Sequence, residues 1–578
     1  MRQHGGYRPY VLVAALLAAC SNSGAPNGSN RSPISDAGGP YSGAPGVAIS
    51  FNSAGSSDPD GSIVSYLWSF GDGTSSTIAN PSKSYTAVGN YTAALTVTDD
   101  SGATNTDHKT VRISIGGGGS PPTVTLATYY GGSDDEMIRD ATTDPQGNVY
   151  IVGGSRSPNF PVTLGAFNGN YDVVVLKLSA TGQLIWSSRL GGPGYDRAYA
   201  VEIDQQGNVV IAGRAGVGFP VTPGALQTVF AGGASSPTSP YGEQDGFACK
   251  LNGATGAEIW CTYFGANDSG AVRDMDVDAS GNLYLASWVA GDYPAAWIKP
   301  NAFQPQRAGG QDFSLAKISA DGTQVLWCTY LGGTGQDGDG GSVRVMANGD
   351  AAFVMTIHSA NAPTQNAFQP AFGGGNRDLY VGVMAGDGSA LRWGSYLGGS
   401  GNEDTETHNL ALDSGENLIV AAASGSADFP MAGQSLQPNL SGSTDGVLEK
   451  FSPQGAHLAG TFFGGTSSDN FQGVLVGPGD TIYVAGTTQS TTLAGVTGAI
   501  GGMEDFFTTR FSDDLSTQYG GVRLGGSEDD EGRNVALGPT GTWYAGGITR
   551  STNWPTVNAA GAQYGGGKED GVFVIISP

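Results

Sequence analysis

The sequence predicts an all-β protein in which a small sandwich precedes a larger ring of repeated sheets. Glycine supplies 95 of the 578 residues, and charged side chains make up only 13%, which is typical of a chain rich in strands and tight turns. Short alternating apolar stretches are separated by turn residues along most of the chain. One glycine-containing string returns seven times after residue 122.

The composition excludes several classes of function. With 26 basic and 51 acidic residues the net charge is −25, which argues against nucleic acid as a partner because phosphate binding needs clustered lysine and arginine. Five histidines leave little room for histidine-based catalysis or a site with several histidine ligands. A hydrophobic content of 39% is sufficient for packed cores.

The first 19 residues have the pattern of an export signal. Arg2 and Arg8 precede a short apolar stretch, 11–19, which is too short to span a bilayer. Its end, Leu17-Ala18-Ala19-Cys20, resembles the lipobox of bacterial lipoproteins. The resemblance implies that Cys20 is lipidated and that the protein is anchored in the bacterial envelope, at the outer membrane, facing either the periplasm or the surface. An ordinary cleaved signal with an incidental cysteine is the alternative. Residues 20–32 are predicted to be a flexible tether.

Residues 33–115 contain the alternating strands and turn clusters of a β-sandwich. The string WSFGDG at 68–73 stands between SSDPDGSIVSY and GNYTAALTVTDDSGAT. These motifs resemble the PKD domain, which implies an Ig-like sandwich of the kind that extracellular proteins use as a spacer or binding accessory. Residues 116–122, GGGGSPP, are predicted to be a linker.

Residues 123–578 repeat with a period of roughly 65 residues, which is the length of a β-propeller blade. The repeated Gly-Gly string begins at Gly131, Gly191, Gly265, Gly332, Gly398, Gly464 and Gly525. Each period predicts four antiparallel strands. The last period stops after its third strand, and the strand 124–130 supplies the missing fourth, so both ends of the region share one blade and close a ring of seven. The repeats resemble the SBBP type of bacterial propeller repeat.

One aspartate opens the third strand of every period. Its sevenfold repetition indicates a structural role, with the carboxylate capping backbone N–H groups of the adjoining loop. The seven residues are Asp172, Asp245, Asp312, Asp378, Asp445, Asp505 and Asp570.

A second repeated position, five residues before the turn that ends each first strand, varies from blade to blade. Variable polar and aromatic side chains on a uniform frame predict ligand recognition at the mouth of the central channel, and packing between blades is the alternative. The candidates are Arg139, Tyr199, Arg273, His408, Phe471 and Arg533. Tyr241, in a long insertion in blade two, is a further candidate, against a tolerated surface insertion.

Two acidic loops are candidate calcium sites. Asp134 and Asp135 precede the first strand of blade one, and Asp529 and Asp530 precede that of blade seven. Clustered carboxylates on flexible loops suit Ca²⁺, and solvated acidic turns are the alternative. The sequence predicts no other cofactor.

The cysteines point to an oxidising compartment. Pairing Leu251 with Ile259 across the hairpin of blade two also places Cys249 opposite Cys261, which predicts a disulfide. Cys328 is predicted to face Ala316 and to remain a free thiol.

These features together predict a lipid-anchored binding or scaffold protein of the cell envelope, whose propeller loops recognise a surface glycan or an envelope protein. The sequence contains no Gly-x-Ser-x-Gly elbow, no His-Glu-x-x-His and no P-loop. A polysaccharide lyase or hydrolase acting at the channel mouth is one alternative, and a purely structural envelope component is another. Whether the protein is an enzyme is left open.

Overall fold

The computed structural model describes residues 30–43, 48–85, 89–113, 122–234, 241–433, 435–498, 500–538, 541–561 and 563–578. The predicted signal peptide, Cys20 and most of the predicted tether and linker lie outside these ranges. The chain forms two compact units, the smaller with Ala48–Ser84 and Asn90–Val111, the larger with Arg112–Pro578. Within the described ranges no helix is long and apolar enough to cross a membrane.

The smaller unit is a sandwich of seven strands. They are β1 Tyr41–Gly43, β2 Ala48–Ser50, β3 Ile63–Ser69, β4 Ser75–Ser76, β5 Ser82–Ser84, β6 Gly89–Asp99 and β7 Thr104–Ile113. Five form a sheet in the order β1-β7-β6-β3-β4, and β2 pairs with β5. Trp68 is fully buried, and the Phe51 ring lies 5.3 Å from Trp68 and 5.1 Å from Phe70. This aromatic cluster is the centre of the sandwich core.

The larger unit consists of seven antiparallel sheets, the blades. From first to fourth strand, blade one has Glu136–Thr143, Val149–Ser155, Asp172–Leu178 and Leu184–Leu190; blade two has Arg197–Ile203, Val209–Ala215, Glu243–Leu251 and Glu258–Phe264; and blade three has Gly270–Val277, Leu283–Val289, Asp312–Ile318 and Val325–Leu331. Blade four has Gly341–Val345, Ala351–Ile357, Asp378–Met384 and Leu391–Leu397, and blade five has Glu403–Asp404 with Leu410–Leu412, then Leu418–Ser424, Asp445–Phe451 and His457–Phe463. Blade six has Asp469–Val476, Ile482–Thr488, Asp505–Phe511 and Gln518–Leu524, and blade seven has Asp530–Leu537, Trp543–Thr549, Asp570–Ser577 and Thr123–Tyr130. Short strands Gly233–Ala234 and Val496–Thr497 join blades two and six, and Pro478–Asp480 is a 3₁₀ turn.

Blade seven contains both ends of the ring. Its third strand pairs with the strand Thr123–Tyr130, with Val572 opposite Tyr129 and Val574 opposite Ala127. The predicted all-β class and the shared closing blade are confirmed.

Seven apolar clusters lie between successive blades and hold the ring together. Tryptophans of the fourth strands extend these contacts: the indole N–H of Trp186 donates to the Gly253 carbonyl at 3.2 Å, and that of Trp393 to the Pro453 carbonyl at 3.0 Å. Each acceptor belongs to a hairpin of the next blade. The first strands surround a central channel. We call its two ends the loop face, where the fourth-to-first connections lie, and the hairpin face, where the first-to-second turns lie.

Candidate functional site

The side chains at the centre of the channel come from β-bulges in the first strands. In five blades one residue is left out of the pairing with the second strand. A bulge redirects the extra side chain, and here it joins the group at the channel axis. The bulged residues are Arg139, Tyr199, Arg273, Gln472 and Arg533.

One of the predicted ligand residues is placed elsewhere. Phe471 pairs with Gly486, is 2% exposed and packs in the core between blades five and six. The residue equivalent to Arg139 in blade six is Gln472, because the turn of that blade begins at Gly477, whose N–H bonds the Thr481 carbonyl. A slip of one residue moves a side chain to the opposite face of a strand, so the predicted position was wrong by one.

Four arginines gather around Tyr199 near the loop face, and a fifth lies beside them. The guanidinium carbons of Arg197, Arg214, Arg273 and Arg139 lie 4.7, 5.1, 5.1 and 5.5 Å from the centre of the Tyr199 ring. The fifth, Arg533, pairs with Glu531 and lies 3.6 Å from Glu406. We call these five arginines with Tyr199 the arginine cluster.

Most of the positive charge in the arginine cluster is unpaired. Within the described part of the chain, Arg139, Arg197, Arg214 and Arg273 have no carboxylate within 4.0 Å. The Nε atoms of the first three are buried without a hydrogen-bond partner. Arg273 donates to the backbone carbonyl of Asp339, with 2.7 Å from Nε. A concentration of positively charged guanidinium groups of this kind attracts an anion.

The arginines also change the ionisation of their neighbours. Burial alone would raise the pKa of Tyr199, but four arginines outweigh it and lower this pKa to about 6. Burial lowers the pKa of Arg139 to about 10, with Arg197 and Arg533 adding to the effect. The pKa of Glu406 lies below its usual range because Arg533 and Arg273 outweigh the cost of burying it. The Tyr199 phenolate therefore lies within the cluster, and Glu531 and Glu406 are the carboxylates beside Arg533.

His408 turns away from the arginines and crosses the channel below them. Its backbone is left-handed, with φ 61°. Its Nε2–H donates to the Tyr199 carbonyl at 2.7 Å, and Nδ1 lies 3.2 Å from Asp274 and 3.7 Å from Asp140. Burial alone would lower the pKa of His408, but Asp140 and Asp274 outweigh it and raise this pKa to about 9. His408 is therefore a cation fixed between blades, not a free base.

A groove of about 420 Å³ lies beside the arginine cluster, lined by Tyr195, Tyr241 and Glu243 among others. The Tyr241 ring lies 5.0 Å from that of Tyr195 and 4.5 Å from the Arg214 guanidinium. The insertion of blade two thus brings Tyr241 to the same place as the arginines. Arg197 and Arg214 were not among the predicted residues, although they lie opposite each other on the first and second strands of blade two, with Arg197 two residues before Tyr199.

The acidic loops are engaged with protein groups. Asp134 and Asp135 lie 3.8 and 3.7 Å from Arg156, and Asp529 lies 3.1 Å from Arg550. Asp530 is fully buried and accepts the Gly526 N–H at 2.6 Å and the Ser551 hydroxyl at 3.0 Å. Across the described ranges no three histidine, cysteine or carboxylate side chains converge as a metal would require. Calcium stays a prediction.

Asp530 belongs to a second repeated set that the sequence analysis missed. In six blades a carboxylate four residues after the second glycine of the Gly-Gly string accepts that glycine's N–H, as Glu136 does from Gly132 at 2.7 Å. The fixed spacing was the available signal. The six acids are Glu136, Asp196, Asp337, Glu403, Asp469 and Asp530.

The aspartates that open the third strands accept backbone N–H groups of the preceding loop, as Asp312 does from Ala308 at 2.7 Å. They also account for the first glycine of each string. A Cβ atom at Gly265 would lie 1.9 Å from Oδ1 of Asp245, and one at Gly131 would lie 2.4 Å from Oδ1 of Asp570. The repeated aspartate and the repeated glycine therefore form one structural unit.

Cys249 lies opposite Cys261 on the third and fourth strands of blade two, and the two form a disulfide. Leu251 pairs with Glu258 rather than with Ile259, because a bulge follows Lys250. Cys328 is buried, free and opposite Ala316.

Comparison with known proteins identifies the N-terminal unit. The family model of the PKD domain matches residues 30–115. A stretch of 90 residues is 46% identical to collagenase ColQ1 of Bacillus cereus, covering 16% of this chain and 9% of the collagenase. A stretch of 58 residues is 55% identical to the pre-pro-metalloprotease PrtV of Vibrio cholerae, covering 10% of this chain and 6% of the metalloprotease. The chain thus spans less than a tenth of the length of these relatives.

Solved structures cover both units. The PKD1 domain of Vibrio anguillarum Epp is 42% identical, with 15% of this chain and 96% of that chain covered and a TM-score of 0.14. A Dyadobacter fermentans protein of unknown function covers 79% of this chain and 99% of its own at 9% identity and a TM-score of 0.38. The quinohemoprotein alcohol dehydrogenase of Comamonas testosteroni covers 79% of this chain and 76% of its own, at 9% identity and a TM-score of 0.36. No conclusion about activity follows from likenesses of this size.

Proposed function

We propose that the protein is an extracytoplasmic binding protein whose arginine cluster holds the acidic group of a glycan. The observation that carries this proposal is the set of four arginines around Tyr199 that have no carboxylate partner in the described part of the chain. In a chain of net charge −25, such a concentration of positive charge needs a reason. Guanidinium groups bind carboxylate and sulfate oxygens through paired, charge-assisted hydrogen bonds.

The groove beside the cluster supports a sugar as the carrier of that acidic group. Its volume of about 420 Å³ falls within the range of small-molecule sites, roughly 300–1,000 Å³. Tyr241, which packs against the buried Tyr195, supplies a flat apolar ring surface with a polar edge, and Arg214 stands behind Tyr241. Uronate- or sulfate-bearing glycans combine the two chemistries, an anionic substituent and a ring with an apolar face.

The predicted lipid anchor supplies the setting of this proposal. Cys20 at the end of the lipobox-like sequence would attach the protein to the bacterial outer membrane, and the PKD domain would act as spacer for an SBBP-type propeller. Incorporation of labelled fatty acid into the full chain, lost in Cys20→Ser, tests the anchor separately from ligand binding. Absence of label in the unmodified chain would contradict it.

A polysaccharide lyase is the second candidate, favoured by the lowered pKa of Tyr199. A phenolate among arginines could take a proton next to a uronate carboxylate whose charge the arginines neutralise. Against this, Tyr199 is only 1% exposed, so a substrate reaches its hydroxyl only if the surrounding arginines move.

The test is a binding measurement on the full chain with three polysaccharides: polygalacturonate, dextran sulfate and neutral dextran. We expect saturable binding of at least one acidic polymer and none of dextran. Arg273→Gln, at the partly exposed edge of the cluster, should weaken binding roughly tenfold or more. Arg392→Gln is the matched control. Arg392 is an exposed residue of the fourth strand of blade four, where it pairs with Asp350 and does not belong to the arginine cluster.

Four outcomes would overturn the binding proposal. Equal weakening by both arginine variants would indicate a general charge effect, and binding of dextran as tightly as of the acidic polymers would exclude anion recognition. Release of unsaturated fragments, abolished by Tyr199→Phe, would replace the binding protein with the lyase. Failure of all three polymers to bind would favour a structural component of the envelope.

A further inference from the structure

The hairpin end of the channel contains a cavity of about 480 Å³ that is separate from the arginine cluster. First strands of all seven blades contribute to its wall. His408, bonded to the Tyr199 carbonyl and paired with Asp274, stands between the two regions. The volume lies within the usual range of ligand sites, roughly 300–1,000 Å³.

The wall of this cavity is acidic, in contrast to the other end of the channel. Asp140, Glu202 and Asp276 line it, with Arg344 and His408 as the cations. Both cations are already paired with Asp274, Arg344 at 2.8 Å and His408 at 3.2 Å. The wall therefore has more carboxyl side chains than cations, and both cations are already paired with Asp274.

Glu202 holds the least compensated of these charges. Asp276 accepts the N–H groups of Val277 and Val345 at 2.7 and 2.6 Å. The Glu202 carboxylate, by contrast, has no hydrogen bond and no ion pair with any residue in the described ranges, and it is only partly exposed. Burial, with Asp276 adding to it, raises the pKa of Glu202 well above its usual range. A carboxylate in this position gains most from a cationic partner.

Asn534 gives a second, independent indication of a ligand. It lines the same cavity and is 1% exposed, yet neither its amide oxygen nor its amide nitrogen has a hydrogen-bond partner among the described residues. Buried polar groups without a partner are uncommon and costly. A ligand with polar atoms in the cavity would satisfy both atoms of the amide.

The rest of the wall is aliphatic and specifies the body of the ligand. Val345, Leu412, Val476 and Leu537 lie towards the hairpin face, where their partial exposure marks the opening. We infer that this cavity binds an organic cation, in which an ammonium or guanidinium head reaches Glu202 and Asn534 and an aliphatic body contacts the outer wall. This inference does not depend on the proposed glycan site.

Isothermal titration of the full chain with n-butylammonium, at mildly alkaline pH, tests the inference, with neutral n-butanol as the control ligand. We expect saturable binding of one butylammonium per chain and none of butanol. Glu202→Gln, which keeps the size of the side chain, should weaken the affinity roughly tenfold or more. Glu258→Gln, at the exposed start of the fourth strand of the same blade, should leave it unchanged.

Asp276→Asn is the second variant, in case Glu202→Gln lowers the unfolding temperature, and it should also weaken binding. No saturable binding of butylammonium, or affinity that is unchanged in both cavity variants, would overturn the inference. Calcium binding that Glu202→Gln abolishes, without butylammonium binding, would assign the cavity to a metal ion and overturn it as well. Arg273→Gln should leave butylammonium binding intact, which separates this site from the arginine cluster.

Discussion

Replacing Gly265 by alanine would press a methyl group against the Asp245 carboxylate. The added Cβ would lie 1.9 Å from Oδ1 and 2.1 Å from Cγ, whereas non-bonded carbon contacts are favourable at about 3.5–4.0 Å. The carboxylate is buried and its Oδ2 accepts the Ala231 N–H at 2.8 Å, so it cannot retreat without losing that bond. We expect the substitution to lower the free energy of unfolding by about 3 kcal/mol, the upper part of the range for overpacking.

The same contact predicts strong coupling between the two positions. Asp245→Ala should cost about 1–3 kcal/mol because it removes the acceptor of the Ala231 N–H. In the double variant the alanine at 265 meets no carboxylate, so its own cost should largely disappear. We therefore expect the double variant to be about 2 kcal/mol more stable than the sum of the single losses implies.

Scanning calorimetry of the full chain measures these effects. An unfolding entropy of roughly 2.1 cal/mol/K per residue gives residues 123–578 about 1 kcal/mol per kelvin, so Gly265→Ala should lower the Tm of the propeller by about 3 °C. The matched control is Gly310→Ala, because a Cβ there meets no atom within 4 Å. Equal Tm values for the two glycine variants, or additive losses in the double variant, would refute the reasoning.

Three further predictions concern ionisation and the disulfide. Burial, with Glu136 adding to it, raises the pKa of Asp570 to about 7, so the folded chain binds this proton more tightly than the unfolded chain; relative to Asp570→Asn, the calorimetric Tm of the unmodified chain should be highest below about pH 4 and fall as the pH rises through about 7, and a relative Tm that rises over this interval would contradict it. Reducing the Cys249–Cys261 disulfide, which spans 12 residues, should cost about 3 kcal/mol and lower Tm by about 3 °C; an unchanged Tm with the thiols titrated as free would count against it. Phenolate absorbance of Tyr199 should appear with a midpoint near pH 6 and vanish in Tyr199→Phe; a spectrum in which all tyrosines titrate above pH 9 would disprove the charge assignment.

Repetition made the fold predictable from the sequence. Seven copies of one string at a nearly constant spacing fixed the number of blades. A last period that lacks its fourth strand predicts that residues 124–130 complete it, and in the structure Tyr129 lies opposite Val572. The facing positions of Cys249 and Cys261 followed from the hairpin alone, although the bulge after Lys250 shifted the pairing of Leu251.

The site was less predictable because bulges change the register that a pattern assumes. The choice of Phe471 instead of Gln472 is a one-residue error of this kind. Glycines inside the second strands were an overlooked signal: a Cβ at Gly153 would lie 1.7 Å from the carbonyl oxygen of Met137, next to the bulged Arg139. A glycine within a strand often marks a bulge in its partner. Arg197 and Arg214 pair with each other in the hairpin that also contains Tyr199, but a pattern that selects one equivalent residue per blade does not include their positions.

The shared closing blade has a consequence for the order in which the protein folds. The strand Thr123–Tyr130 is made early, but its partner lies roughly 440 residues later in the chain, so this pairing has a very long loop to close. At about 5–20 residues per second, its partner emerges from the ribosome on the order of half a minute after it. Until then the strand has an unsatisfied edge that can join another sheet. Synthesis of the strand Asp570–Ser577, rather than any step within an earlier blade, therefore sets the earliest moment at which the ring can close.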